Sequence, residues 1–246
     1  MKFFLYLIYR GLNKRSIILL LGLLITILPL KAQSVGEIFR DLEWSVRGTL
    51  LFLFEDNGNA AAPMHILPSP GVGASYSFDE LLAFELTLDI YGTTFDYDVN
   101  LQRVVAANDE FRSAFVVGSI LGLQPVFRFY PRGEAFTIRA YGGLGFDLRI
   151  IFRAYGINDN EQHSNNNNPN TGLTVGEARK EITSYFWGSG RFIYPFIGGG
   201  MDFPLFDTMQ IGFDLRLWFP VWRAWTGQNL PFIDSFRLGL GFRLTF

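Results

Sequence analysis

Hydrophobic and polar residues alternate with a period of two through most of the chain beyond residue 42. Leu82, Phe84, Leu86, Leu88 and Ile90 form one face of such a stretch, and Glu85, Thr87 and Asp89 form the other. A helix would fold those charges into its apolar stripe, whereas a strand places them on the opposite side. Phe236, Leu238, Leu240, Phe242, Leu244 and Phe246 alternate in the same way with Arg237, Gly239, Gly241, Arg243 and Thr245. Further copies set Ile211, Phe213, Leu215, Leu217 and Phe219 against Asp214 and Arg216, and Ile138, Leu144, Phe146, Leu148 and Ile150 against Arg139, Tyr141, Asp147 and Arg149. Weaker ones set Trp44, Val46, Leu50 and Phe52 against Ser45, Arg47 and Thr49, with Leu51 and Leu53 blurring the polar side. Others set Val72, Ala74, Tyr76 and Phe78 against Gly73, Ser75 and Ser77, and Leu121, Leu123, Phe127 and Phe129 against Gln124 and Arg128. Around 190–202 the parity is open, because Phe192, Tyr194 and Phe196 compete with Ile193, Ile197 and Met201. The pattern predicts eight strands, at about 42–54, 70–79, 82–95, 115–130, 135–151, 190–202, 208–219 and 234–246.

The connections alternate in length. Asp79–Leu81, Pro131–Glu134 and Phe203–Asp207 are tight, while 55–69, 96–114, 152–189 and 220–233 are long and polar. Short turns at one end and long loops at the other describe an antiparallel meander inserted through a membrane from one side. Segment 152–189 holds a four-Asn run at 165–168 and few apolar residues, so surface exposure or disorder is expected there.

The polar faces decide which way the apolar faces point. They carry Arg47, Glu85, Asp89, Arg128, Arg139, Asp147, Arg149, Asp214, Arg216, Arg237 and Arg243, with no lysine. A water-facing surface draws freely on lysine, whereas fixed, desolvated pairing favours the planar fork of arginine. Glycine, threonine, serine and tyrosine fill the gaps, as an eight-stranded lumen just wide enough for side chains requires. Aromatic residues mark the strand ends, with Trp44, Trp187, Trp222 and Trp225 expected at the membrane interfaces and Trp218 counted among them. The expected fold is therefore all-β: an eight-stranded antiparallel up-and-down transmembrane β-barrel with its apolar face toward lipid.

Composition sharpens this. Of 246 residues 49% are hydrophobic, only 18% are charged, and 26 are Phe, a surplus that suits lipid contact. The absence of cysteine excludes disulfides, thiolate metal sites and a thiol nucleophile. A net charge of −2 argues against nucleic acid as a partner. Lys2, Arg10, Lys14 and Arg15 precede the apolar run Ile17–Leu30 and then Lys31-Ala32-Gln33-Ser34, the order of a secretory signal peptide. Cleavage after Ser34 is expected, with Ala32 second. The run is short of the roughly 20 residues of a spanning helix. Without 1–34 the chain carries 16 basic and 23 acidic residues, net −7.

The closing segment Phe236-x-Leu238-x-Leu240-x-Phe242-x-Leu244-x-Phe246 resembles the C-terminal assembly signal of Gram-negative-type outer-membrane β-barrels. The glycine-rich Tyr141-Gly142-Gly143-Leu144-Gly145-Phe146 and Tyr194-Pro195-Phe196-Ile197-Gly198-Gly199-Gly200 are similar to strands of the small OmpA/OmpX/OmpW-like group. The resemblance spans residues 35–246 as a pattern. It implies location in the bacterial outer membrane and contact with outer-membrane lipid. It also implies periplasmic chaperones, folding by the barrel assembly machinery, and passage of apolar solutes as one activity to weigh. A monomer without metal or cofactor is expected.

Candidate chemistry is sparse. The eleven lumenal charges comprise seven arginines and four acids; Glu43 and Asp202 stand near enough to the rim to supply missing negative partners. A salt-bridge ladder plugging the lumen is the first expectation, an anion-favouring narrow pore the second. A lipid deacylase would need a His and a Ser fixed on adjacent strands with an acid behind the imidazole. His163-Ser164 sit in the Asn-rich loop and His65 has no serine at hand. Glu85 and Asp89 share a face but meet arginine across the lumen. Loops bearing Phe186, Trp187, Trp222, Trp225 and Phe232 suggest an apolar mouth. The sequence thus points to a non-enzymatic barrel, structural or a narrow channel for small or apolar solutes. A surface adhesin acting through 152–189 and a lipid-modifying enzyme are the alternatives.

Overall fold

The computed structural model describes residues 41–54, 65–106, 114–131, 135–154, 175–206, 208–227 and 234–246. The expected leader, the Asn-rich run, His163-Ser164 and Phe232 lie outside them. Nine strands form one sheet: β1 (Leu42–Leu53), β2 (His65–Ser77), β3 (Leu82–Asp98), β4 (Arg103–Ala106), β5 (Ala114–Phe129), β6 (Thr137–Ala154), β7 (Ile193–Phe206), β8 (Met209–Trp218) and β9 (Arg237–Thr245). Apart from β4, each pairs antiparallel with its neighbours in the chain, and β9 pairs with β1 from Thr245↔Ser45 to Arg237↔Leu53. The result is a closed eight-stranded up-and-down barrel. Closure removes the unpaired edges that an open sheet would present.

The two faces of the wall differ as the alternation requires. Arg47, Glu85, Asp89, Arg139, Asp147, Asp214, Arg216 and Arg243 point inward and are buried. Val46, Leu50, Leu86, Phe127, Leu144, Phe213 and Phe242 point outward and are about half exposed. Soluble monomers rarely expose contiguous apolar patches above a few hundred Å². Here the apolar belt circles the molecule while the charges are sequestered, so this is a transmembrane barrel. Aromatic rings gather at the short-turn end, where Phe136 stacks on Phe203 and Trp44 and Phe246 are exposed.

Several elements depart from the sequence-based expectation. β2 begins at His65, inside the expected loop 55–69. Pro68 and Pro70, which suggest a turn, fall where β2 pairs with β1 but its β3 pairings have ended, so a missing N–H disrupts one side only. β3 runs on to Asp98 and returns as β4, inside the expected loop 96–114. The carboxylate of Asp98 caps that turn, accepting from the backbone N–H of Asn100 and Leu101, and Gln102 takes φ 49°. Segment 152–189 contains a helix, α1 (Val175–Trp187), whose Ile182 and Phe186 are buried. A further turn of helix, α2 (Arg223–Thr226), follows β8. In β7 the open parity resolves with Tyr194, Phe196 and Asp202 inward and Ile193, Ile197 and Met201 outward.

Candidate functional site

The lumen holds the chemistry, and its centre is a ring of alternating charge. Arg47 on β1 meets Glu85 on β3 at 3.2 Å, and Glu85 meets Arg243 on β9 at 3.3 Å. Arg243 meets Asp202 on β7 at 2.7 Å, and Asp202 meets Arg139 on β6 at 2.6 Å. Arg139 reaches Asp214 on β8 at 3.0 Å, and Asp214 returns to Arg47 at 3.4 Å. Asp89 hangs on this cycle, 3.6 Å from Arg47 and 3.2 Å from Arg216. Four arginines and four acids balance. Gln124 on β5 donates to Glu85 at 2.8 Å and Tyr141 donates to Asp214 at 2.9 Å. Seven of the eight barrel strands therefore contribute to one layer.

The eighth strand, β2, contributes room. A Cβ at Gly71 would overlap the Asp89 carboxylate, and on β8 a Cβ at Gly212 would overlap that of Asp202. Glycine opposite each carboxylate lets the acids lie flat against the wall within reach of two arginines. Every ring side chain is at most 6% exposed. Pairing of this density offsets the desolvation of each charge; it does not guarantee net stability against an apolar core, but it makes each partner indispensable to the others.

Above and below the ring the lumen changes character. Toward the short-turn end, Arg128 binds Glu43 at 2.7 Å and Ser77 at 2.9 Å, partly open to solvent. Toward the long-loop end, Leu51, Ile120, Phe196 and Trp218 are buried and form an apolar partition. Beyond it Asp147 accepts from Arg149 at 2.5 Å and from Tyr91 at 2.9 Å, and lies 2.6 Å from Arg237, whose guanidinium rests 4.0 Å over the Tyr194 ring.

The long-loop end is capped. α1 packs on β3, β4 and β6, Phe186 meets Phe95 edge-to-face at 5.1 Å, and the Arg149 guanidinium lies 4.3 Å over the Phe186 ring. Arg103 on β4 pairs with the fully buried Asp234 at 3.0 Å, tying the β3–β4 hairpin to the start of β9. Arg191 stacks on Tyr185 and Trp222, and the Trp225 indole N–H donates to the Ser189 carbonyl at 2.8 Å. Ser189 and Ser235 both take positive φ here, as does Gln102. Non-glycine residues in that region cost energy and persist where surrounding contacts hold them.

The structure gathers Arg47, Glu85, Asp89, Arg139, Asp214, Arg216 and Arg243 into the ring, and Asp147, Arg149 and Arg237 into the upper cluster. Arg128 stands apart at the rim. Asp202 and Glu43 take the roles of missing acids. Arg103 and Asp234 carry no sequence signal of their own, since one lies in the unforeseen β4 and the other precedes β9. Trp44, Trp187 and Trp225 are exposed, but Trp222 is only 1% exposed and Trp218 faces the lumen, so neither is interfacial. Their burial follows from the cap: Trp222 supports Arg191, and Trp218 fills the partition. Phe186 is likewise an internal contact and not part of an open apolar mouth. Leu238, Leu240, Phe242, Leu244 and Phe236 line the outside of β9, and the Phe246 N–H donates to the Trp44 carbonyl at 2.9 Å. His65 contacts the Thr93 hydroxyl at 2.7 Å. Among the described residues no group of three His, Cys, Asp or Glu could hold a metal.

Scans of protein-family models and of curated proteins find no match. Among solved structures the chain is similar to OprG from Pseudomonas aeruginosa, an outer membrane protein, at 12% identity over 84% of this chain and 96% of that one, TM-score 0.45. It is similar to Neisserial surface protein A at 10% identity over 83% and 94%, TM-score 0.44. Ail, the attachment invasion locus protein of Yersinia pestis, gives 11% over 83% and 97%, TM-score 0.42. At these values the likeness concerns the small-barrel fold, which the strand pairings establish independently.

Proposed function

We propose that this protein is a non-enzymatic, structural barrel of the bacterial outer membrane whose lumen is sealed. The observation that carries the reading is the network of four arginines and four acids across the lumen, a closed cycle of three of each with Asp89 and Arg216 attached to it, each group buried and each bound to a partner of opposite charge. An ion crossing that layer would have to displace fixed, desolvated pairs. The apolar partition above it and the cap beyond add further buried apolar and aromatic side chains on the same side of the ring. The apolar belt and the aromatic short-turn end support placement in a membrane with the turns on the periplasmic side.

Planar-bilayer recording of the refolded protein tests the seal. We expect no steady conductance in molar salt. Steady opening lost on Arg139→Ala would show instead a narrow channel lined by these charges.

Assembly is part of the same reading. β9 closes the barrel on β1, so we propose that Phe236, Leu238, Leu240, Phe242, Leu244 and Phe246 are read by the barrel assembly machinery after periplasmic chaperones deliver the chain. Deleting Phe246 removes an outward aromatic and the bond to Trp44. Expression of that variant is expected to give protein that runs at the same position on gels with and without boiling, whereas the wild type shifts. A normal shift would remove the signal role.

A further inference from the structure

At one seam of the wall both strands continue past their last pair. β2 pairs with β3 from Ser77↔Ala83 to Gly71↔Asp89 and stops there. Beyond that point β2 runs on to His65, paired with β1 as far as Leu53↔His65, and β3 runs on paired with β5 as far as Phe95↔Ala114. Among the described residues the edges that face each other, 65–70 on β2 and 90–94 on β3, have no ladder partner. β4 takes up the β3 edge again at Phe95↔Ala106. The cause is in the sequence. The β1–β2 ladder is unbroken through Pro68 and Pro70. Alternate residues of an antiparallel strand bond to opposite neighbours, so the donors toward β1 come from the residues between the prolines, and the N–H that each proline lacks lies on the β3 side. β2 offers no donor at two successive bonding positions of that edge, and the ladder cannot zip further.

Side chains close the seam instead. Ser69 and Tyr91, which flank it, are both buried. His65 Nδ1 lies 2.7 Å from Thr93 Oγ1, directly across it. Arg103 on β4 pairs with Asp234 at 3.0 Å, just before β9, and β9 continues through β1 to β2, so this pair also joins the two sides. The Ser69 hydroxyl is buried without a hydrogen-bond partner among the described residues. Water would satisfy that desolvated group if the seam parted, which lowers the cost of parting.

We infer that this seam is a parting line built into the barrel: above the ring the wall opens between 65–70 and 90–94, and the Arg103–Asp234 pair is its clasp. Local openings are drawn from regions where few backbone hydrogen bonds must break, and here separation of the two edges breaks none between them. Elsewhere along β2 and β3 the same movement would tear a ladder. The inference goes beyond the sealed lumen and leaves it intact, because the ladder between β2 and β3 is complete up to Asp89, a member of the ring network.

The chain has no cysteine, so a single introduced thiol reports access to its own position. Ser69→Cys places one at the seam. Thr49→Cys places one on β1, opposite Ser69 in the ladder, where the wall is paired on both sides; both native side chains are buried. Labelling of the refolded protein in lipid vesicles by N-ethylmaleimide is followed by mass spectrometry. Position 69 is expected to react about tenfold faster or more than position 49. Arg103→Met should speed labelling at 69 by about tenfold or more again and leave 49 unchanged. P68V/P70V, which returns both donors to the edge, should slow labelling at 69. A gel shift on boiling confirms that each variant is folded. Equal rates at the two positions, or equal acceleration of both by Arg103→Met, would mean entry through the long-loop end and would overturn the parting line. Labelling at 69 that is unchanged by P68V/P70V would overturn it as well.

Discussion

Replacing Arg47 by methionine is expected to lower the unfolding free energy by about 3–5 kcal/mol, the cost of leaving buried charges without a partner. Methionine keeps most of the stem volume and removes only the guanidinium, so the loss reports charge rather than a cavity. Arg47 faces three carboxylates, Glu85 at 3.2 Å, Asp214 at 3.4 Å and Asp89 at 3.6 Å, and its side chain is 1% exposed. Without it the ring opens, and its acids must share Arg139, Arg216 and Arg243. Arg128→Met supplies the contrast. That arginine also binds a carboxylate, but Glu43 is 42% exposed at the rim, where water replaces a lost partner and pairs contribute about 1 kcal/mol or less. Urea unfolding of both variants in lipid vesicles, followed by tryptophan fluorescence, measures the difference. Equal costs would mean that water reaches the ring.

The sequence exposes this ring because a barrel in lipid separates its faces completely. Wherever an outward apolar column faces an inward charged one, the period of two is unmistakable, and Arg47, Glu85, Asp89, Arg139, Asp214, Arg216 and Arg243 are placed by parity alone. Parity fails where the lumen itself turns apolar. Tyr194 and Phe196 point inward into the partition while Ile193 and Ile197 point outward, so both faces of β7 look alike and Asp202 loses its frame of reference. Trp218 is misplaced for the same reason, since an aromatic at a strand end suits a membrane girdle as well as a lumen. The cap is illegible for another cause. Among its described side chains α1 buries only Ile182 and Phe186, too short a stripe to announce a helix, and β4 is four residues long. Both are held by partners distant in sequence, Arg149 and Asp234, so local pattern cannot disclose them.

The upper cluster carries the second large effect. Asp147 is the only carboxylate that Arg237 meets among the described residues, and it also accepts from Arg149 and Tyr91. Asp147→Ala removes all three contacts at a site closed below by Trp218 and above by Phe186, where water cannot substitute. A loss of about 3–5 kcal/mol is expected. Asp147→Asn should cost less, because the amide oxygen still accepts from Tyr91. Combining Asp147→Asn with Arg237→Met should cost less than the sum of the two singles by about 1–3 kcal/mol, since removing both partners leaves neither stranded. Additivity within about 0.5 kcal/mol would mean that the pair is not coupled. The position of the loss is as informative as its size. Arg149, released from Asp147, no longer has its guanidinium fixed over the Phe186 ring, so the grip of the barrel on α1 weakens. Backbone amides of α1 should then exchange hydrogen faster in Asp147→Ala and remain protected in Arg47→Met, whose lesion lies beyond the apolar partition. Equal protection of α1 in both variants would show that the cap is held by the Arg103–Asp234 pair and the Arg191 stack without help from the lumen.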